Sequence, residues 1–350
     1  MASHDIFVIG ASAGGVEALT RLVGMLPPNL PASLFVVVHI SPTANSALPQ
    51  ILSRTGSLPA SHPQEREKIH LGRIYVAPPD RHMLIEGDTV LLSYGPRENS
   101  LRPAIDPLFR SAARSLGSRV TGMILSGTLG DGSAGLQAIK SAGGLAFVQD
   151  PQEALFSGMP LNTLQQVAVD GVRPLEGLAQ EIISLAGSRP ESGDTIMSSQ
   201  QSEPDRFIQG DIADFEKGET SSARSVFTCP ECGGVIWELR EGPVLTYRCH
   251  VGHVYSIDSF LTEQASQLEA ALWTAVRALE ERASLLKRMS NMAEARGNAY
   301  LLRRLQGQSE EIEESASVIR RLLVDDGLPN ISLYLKPTGD EPHSPTPPQS

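Results

Sequence analysis

Three polar residues, each at or just after the end of an apolar run, could between them supply the nucleophile, base and carboxylate of an acyl transfer. Ser12 stands in Gly10-Ala11-Ser12-Ala13-Gly14-Gly15, directly after the β-branched run 6–9. A G-x-S-x-G turn between a strand and a helix lifts the serine hydroxyl to the carboxyl edge of a sheet. Backbone N–H groups at the start of the following helix then face a developing oxyanion. The same glycine-rich turn also suits a nucleotide phosphate. The next apolar run, 34–40, bears on that choice. A dinucleotide site wants Asp or Glu at the end of this strand, whereas here it carries His39 and no acid. His39 could take the Ser12 proton, or it could be an ordinary strand-end histidine. Asp131 lies between Gly130 and Gly132, after the run 120–125. It could orient the imidazole, or it could cap the helix that follows.

A second cluster suggests different chemistry. The only three cysteines are Cys229, Cys232 and Cys249. Cys229-x-x-Cys232 is followed, after sixteen residues, by Cys249-His250-x-x-His253. Three thiols and one imidazole make a closed tetrahedral set for one structural Zn2+. His253 is the better fourth ligand, because adjacent Cys249 and His250 would strain a chelate. The alternative is three reduced cysteines in a small core. A catalytic zinc deaminase is not indicated, since its H-x-E partner is missing. No cofactor is expected for the hydrolysis itself.

These residues need elements to hold them. Over residues 1–187, apolar runs at 6–9, 34–40, 72–77, 89–92, 120–125 and 145–149 alternate with helical patterns at 16–25, 105–116, 133–142 and 175–185. That order predicts an α/β fold: a doubly wound, mostly parallel sheet with helices on both faces, Rossmann-like and three-layered. In an open sheet of this kind the carboxyl ends of neighbouring strands share one crevice, so Ser12, His39 and Asp131 can meet. Residues 188–225, rich in Ser, Glu, Gln, Asp and Pro, read as a flexible linker. Residues 226–260 form the zinc-knuckle module. Residues 261–326 carry two helical stripes with 4-3 spacing, Leu268, Leu272, Ala275, Leu279, Leu286 and Met289, then Leu302, Leu305, Ile312, Ala316, Ile319 and Leu323. A helical hairpin is expected there, with homo-oligomerisation through these helices as the alternative. The Pro-rich tail 327–350 is expected to be disordered.

Bulk composition narrows the function. A formal charge of -11 with no long basic run argues against nucleic acid as the main partner. No stretch approaches the roughly 20 apolar residues needed to span a bilayer, and the N-terminus lacks a signal pattern. A cytoplasmic location is expected.

The motifs IGASAGG, VVVHISP, YVAPPDRHMLI, RPAIDPLF, LSGTLGDGSAGL and FSGMP, in that order, resemble the catalytic domain of the chemotaxis protein-glutamate methylesterase (CheB) family. The resemblance covers about half the chain. It implies hydrolysis of glutamate γ-methyl esters on methyl-accepting chemoreceptors, releasing methanol, with a methyltransferase as functional counterpart. It also implies deamidation of certain receptor glutamines. Ser12 is then the nucleophile, His39 the base and Asp131 its orienter. Thr128 matches a position, usually Met, whose backbone amide serves the oxyanion. His82 and Arg102 fall in family motifs near the cleft, where structural hydrogen bonding is an equal reading. Ala13, beside the oxyanion, replaces a common Thr, and Leu129 stands where Gly is usual. No N-terminal receiver domain precedes the first strand, so control by an attached receiver is not expected. The segments FTCPECGGVIWEL and RCHVGHVYS resemble a C-terminal extension of some stand-alone methylesterase-like proteins. A non-catalytic signalling scaffold is the competing reading.

Overall fold

The computed structural model describes residues 4–43, 45–187 and 223–324. The expected linker lies mostly outside these residues, and the C-terminal tail lies entirely outside them. In chain order the first compact unit contains β1 (Ile6–Ala11), α1 (Gly15–Gly24), β2 (Ser33–Val38), α2 (Leu48–Thr55), β3 (Ala60–Ser61), β4 (Glu67–Lys68), β5 (Arg73–Val76), β6 (His82–Glu86) and β7 (Thr89–Ser93). Then come α3 (Ile105–Leu116), β8 (Val120–Ile124), α4 (Ser133–Ser141), β9 (Leu145–Gln149), α5 (Gly158–Gln166), β10 (Gly171–Arg173) and α6 (Leu175–Leu185). The unit extends to Phe260 and so includes β11 (Ala223–Thr228), β12 (Val235–Glu241), β13 (Val244–Cys249) and β14 (Val254–Ser256).

Seven strands form one parallel sheet in the order β10-β9-β8-β1-β2-β5-β3. Chain direction explains where its crevice lies. From β1 the chain moves to β2 on one side, and it later returns to place β8 on the other. The switch point therefore falls at the carboxyl end of β1, where an open α/β sheet binds its ligand.

Both faces of the sheet are covered, which is why its strands read as continuous apolar runs rather than alternating ones. Phe7, Ile9 and Ala11 of β1 face a core shared with Leu19 and Leu22 of α1, Leu52 of α2, and Leu178 and Ile182 of α6. Ile6 and Val8 face the opposite core, with Leu108 and Phe109 of α3, Leu136 and Ile139 of α4, and Met159 of α5. Each such fully buried aliphatic or aromatic side chain contributes about 1.5–3 kcal/mol. The excursion 67–93 is a small antiparallel sheet, β4-β7-β6, turning at Gly87.

The cysteine-bearing segment is a second antiparallel sheet, β11-β12-β13-β14. The second compact unit, from Leu261, is helical. It holds most of α7 (Ile257–Ala295) and all of α8 (Ala299–Val324), joined through Gly297 at φ 67°. Val276, Ala283, Ser290 and Ala293 of α7, and Leu305, Ser309 and Ala316 of α8, are its buried side chains. Leu305 and Ala316 of the expected stripe lie in this seam, its other leucines flank it, and Leu268 and Met289 are exposed. Among the described residues no helix is long and apolar enough to cross a membrane.

Candidate active site and candidate metal centre

Ser12 follows β1 and His39 follows β2, one step beyond the last paired positions, Ala11 and Val38. His39 N donates to Ala11 O (3.3 Å), so the two strand ends stay side by side where Ser12 and His39 emerge. Adjacent strands lie about 4.8 Å apart. On the other side, Ser12 N donates to Ser126 O (2.9 Å), which ties the nucleophile turn to the strand that leads to Asp131. Gly14 takes φ 72° to start α1, and a Cβ there would meet the Ser126 hydroxyl at 2.7 Å.

His39 and Asp131 are joined directly. His39 Nε2 donates to Asp131 Oδ2 (2.7 Å), with the imidazole about nine-tenths buried and the carboxylate 1 % exposed. The carboxylate is held by three further donors. Ile105 N reaches Oδ2 (2.7 Å), while Asp106 N (3.2 Å) and Asn99 Nδ2 (3.1 Å) reach Oδ1. Burial alone would raise the Asp131 pKa. The hydrogen bond and charge of His39, with the Ile105 and Asp106 amides, outweigh it and hold the carboxyl below its ordinary value. Asp131 is thus an ionised acceptor for His39 Nε2–H. That fixes the tautomer in which Nδ1 carries the lone pair. Among the described residues neither His39 Nδ1 nor the Ser12 hydroxyl makes a hydrogen bond.

The turns around Ser12 and Gly127 lie next to each other on one side of the site. Ala13 N and Thr128 N have no acceptor among the described residues. Gly127 is hemmed in: a Cβ there would lie 2.9 Å from Ser12 Cβ and 2.1 Å from Met159 Sδ. Ser126 Oγ donates to Ala13 O (2.8 Å) and accepts from Phe156 N (3.0 Å), and Ser126 N donates to Gln149 Oε1 (2.9 Å). Leu129 adopts φ 65°, and Asn162 Nδ2 holds its carbonyl (2.9 Å). Exposed Leu155, Phe156 and Val16 form an apolar rim near this turn.

His82 and Arg102 make no hydrogen bond to Ser12, His39 or Asp131 among the described residues and instead fix the loop 94–104. Buried His82 places Nε2 on Pro96 O (2.9 Å) and Nδ1 on Ala104 N (3.3 Å). Arg102 donates to Tyr94 O, Gly95 O and Asp80 Oδ1. Two residues of the site escape sequence reasoning. Asn99 sits in an irregular loop with no motif to mark it, and buried Asp106 hides inside RPAIDPLF. Burial, then the Asp131 charge, push the Asp106 carboxyl well above the usual range, while its Oδ1 accepts from Gly135 N (2.6 Å).

The structure brings Cys229, Cys232, Cys249 and His253 together, their ligand atoms all within 4.8 Å of one another. Cys232 Sγ lies 3.7 Å from Cys249 Sγ, and His253 Nδ1 lies 3.6 and 3.4 Å from Cys229 and Cys249 Sγ. Tetrahedral bonds of about 2.3 Å to sulfur and about 2.0 Å to nitrogen imply ligand separations of roughly 3.5–3.8 Å, so the donor set fits zinc. The sulfurs are too far apart for a disulfide, whose bond is about 2.05 Å. His253 Nε2 lies 3.5 Å from Glu231 Oε2, the kind of outer carboxylate that orients a ligating imidazole. His250 lies apart, its ring tilted near Trp237. Burial pushes the Cys249 thiol up to about 12, a bias that a bound dication reverses.

The family model described as CheB methylesterase matches residues 7–182. A putative protein-glutamate methylesterase/protein-glutamine glutaminase of Leptospira interrogans is 38% identical over 184 residues, covering 52% of this chain and 95% of that one. A protein-glutamate methylesterase/protein-glutamine glutaminase 2 of Methanosarcina mazei is 35% identical over 190 residues, covering 52% of each chain. The chain thus spans nearly all of the first relative and about half of the second. The crystal structure of the Thermotoga maritima CheB methylesterase catalytic domain matches with a TM-score of 0.50 and 30% identity, over 53% of this chain and all of that one.

Proposed function

The chain belongs to the CheB methylesterase family, and on that premise we propose that it is a serine hydrolase removing methyl groups from glutamate γ-methyl esters on chemoreceptors, and deamidating receptor glutamines by the same chemistry. The observation that carries this reading is the buried His39–Asp131 pair beside the Ser12 turn. Ser12 Oγ attacks the ester carbonyl while His39 Nδ1 takes its proton. Asp131 holds the opposite side of the ring and stabilises the imidazolium. The Ala13 and Thr128 amides receive the oxyanion. His39 then protonates the departing methoxide, methanol leaves, and water attacks the acyl-enzyme by the same path in reverse. With a glutamine side chain the leaving group is ammonia.

The apolar rim of Val16, Leu155 and Phe156 suits a protein substrate with an apolar face, such as a receptor helix. Methyl-accepting receptors as partners, a methyltransferase as counterpart and a cytoplasmic setting complete the reading. Zn2+ in the Cys3His set is proposed as structural, since all four positions are taken by protein ligands. The α7–α8 pair, with half-exposed leucines beside its seam, is proposed as the oligomerisation element, if the chain self-associates.

Methanol release from methylated receptor fragments tests the function. Wild-type protein should release methanol, and Ser12→Ala should lower the rate by about 10⁴-fold. A fluorophosphonate should label Ser12. Full activity in Ser12→Ala would move the nucleophile elsewhere, and wild-type protein without methanol release would favour the scaffold.

A further inference from the structure

The Cys/His sheet packs on the methylesterase domain within the same compact unit, and it does so beside the catalytic carboxylate. Val244 of β13 is buried in the core that also contains Ala134 and Leu136 of α4. At Gly130, the neighbour of Asp131, a Cβ would lie 3.0 Å from Ser256 Oγ and 3.4 Å from Asp258 Oδ2, so the module packs tightly against this loop. Arg97 Nη1 lies 3.6 Å from Glu231 Oε1, an ion pair across the same boundary.

Asn99 connects the two parts. Its amide N donates to Val254 O (2.6 Å), and its side-chain Oδ1 accepts from Ser256 N (2.7 Å). Its Nδ2 donates to Asp131 Oδ1 (3.1 Å). One buried side chain, 4 % exposed and held at φ 53°, therefore bonds β14 on one side and the carboxylate on the other. β14 begins at Val254, immediately after His253 of the Cys/His set, and its one strand partner in the sheet is β13, which ends at Cys249 of that set, besides a single bridge from Val254 to Glu98.

We propose that the metal-loaded Cys/His module positions Asp131 through Asn99, so that metal occupancy sets the activity of the esterase. The proposal rests on the reading of Asp131 as the carboxylate that orients His39. Without the metal, a three-residue strand held by a small core loses its order. Asn99 then loses the partners of both its N–H and its Oδ1. A buried amide so stripped turns toward water, and Asp131 loses a donor. Asn99 is a positioning residue, acting on the reaction through Asp131. His82 and Arg102 hold the base of its loop and Arg110 holds Glu98 near its tip, while β14 supplies the partners of the Asn99 N–H and Oδ1 themselves.

The test uses the full chain with a nitrophenyl ester, comparing protein as purified, protein stripped by a strong chelator, stripped protein reloaded with zinc, and Asn99→Ala. Stripping should lower kcat about tenfold or more with little change in KM. It should also move the acid limb of the pH–rate profile upward by about half a unit, because the Asp131 carboxylate loses a donor. Amide exchange over residues 97–101 should speed up, and zinc should restore all three. Zinc-loaded Asn99→Ala should reproduce the kcat loss and the pH shift, and stripping it should add less than about twofold more. Unchanged kcat and exchange in stripped protein would overturn the proposal, as would losses that multiply between stripping and Asn99→Ala. Should Asn99→Ala fail to fold, the stripped and reloaded arms decide alone. Ser12→Ala and Asp131→Ala separate the premises. If either keeps full activity, the triad reading fails. If both are inactive while stripping does nothing, only the present proposal fails.

Discussion

The candidate active site and the Cys/His cluster lie in one compact unit but are held in opposite ways. Ser12, His39 and Asp131 come from positions up to 119 residues apart and meet because a parallel sheet with two buried faces carries them there. The Cys/His set spans 25 residues, from 229 to 253, and its ligands are themselves much of the local core. Cys229, Ile236, Cys249, Tyr255 and Phe260 are the buried members of that cluster, against two extensive cores on the faces of the parallel sheet. One site is an outcome of the fold around it. The other supplies part of the local core with its own ligands.

Metal removal should break this comparison most visibly. Structural zinc in small modules contributes on the order of 10 kcal/mol, whereas a buried apolar core needs none. Chelation should therefore abolish protection from amide exchange in β12, β13 and β14 while leaving β1, β2 and β8 protected. Retained protection of β13 after stripping would show that Tyr255 and Phe260 suffice. Loss of protection in β1 would show that the larger domain depends on the module.

The same contrast explains what the sequence revealed. The Cys-x-x-Cys knuckle is local, so spacing alone identified its residues and the more feasible histidine. The strands 145–149 and the helices 105–116 and 175–185 were legible because their apolar patterns run for the full element. The short strands β3, β4 and β10 were not, since two or three residues carry no period. Helices α2 and α5 were also missed: α2 has Pro49 in its first turn, and α5 starts in a glycine-bearing loop with Pro160 near its beginning. Asn99 was invisible for a different reason. Its importance comes from three hydrogen bonds to residues 32 to 157 positions away, and nothing local marks it.

A second effect, smaller than metal removal, lies inside the esterase site. Asp131 and Asp106 are adjacent buried carboxyls pushed in opposite directions. Asp131 lies below its unfolded value, so it adds stability above the ordinary Asp range, and that stability is lost as pH falls through its folded value. Asp106 lies above its unfolded value. The folded state keeps a proton that the unfolded state releases, so stability falls as pH rises from about 3.9 toward the folded value of Asp106. Asp106→Asn keeps an oxygen for Gly135 N–H and removes the titration. Its stability relative to wild type should improve progressively as pH rises across that window. Denaturant unfolding at a series of pH values measures this. A constant difference at every pH would mean that Asp106 titrates as an ordinary carboxyl.

The smallest effect concerns Leu129, where a leucine occupies a left-handed conformation beside Thr128. A residue with a Cβ costs about 1–2 kcal/mol at such a position, and glycine forfeits about 0.5–1 kcal/mol through its freer unfolded chain. Leu129→Gly should therefore stabilise the protein by about 0.5 kcal/mol, a rise of roughly 1–3 °C in Tm. The Asn162 bond to the 129 carbonyl does not depend on the side chain and should persist. Thermal unfolding of the variant reads the balance directly. A loss of stability would mean that the half-buried leucine side chain contributes more through packing than its backbone costs. The loop beside the oxyanion would then be held by apolar contact, in the manner of the sheet cores, rather than by hydrogen bonds alone.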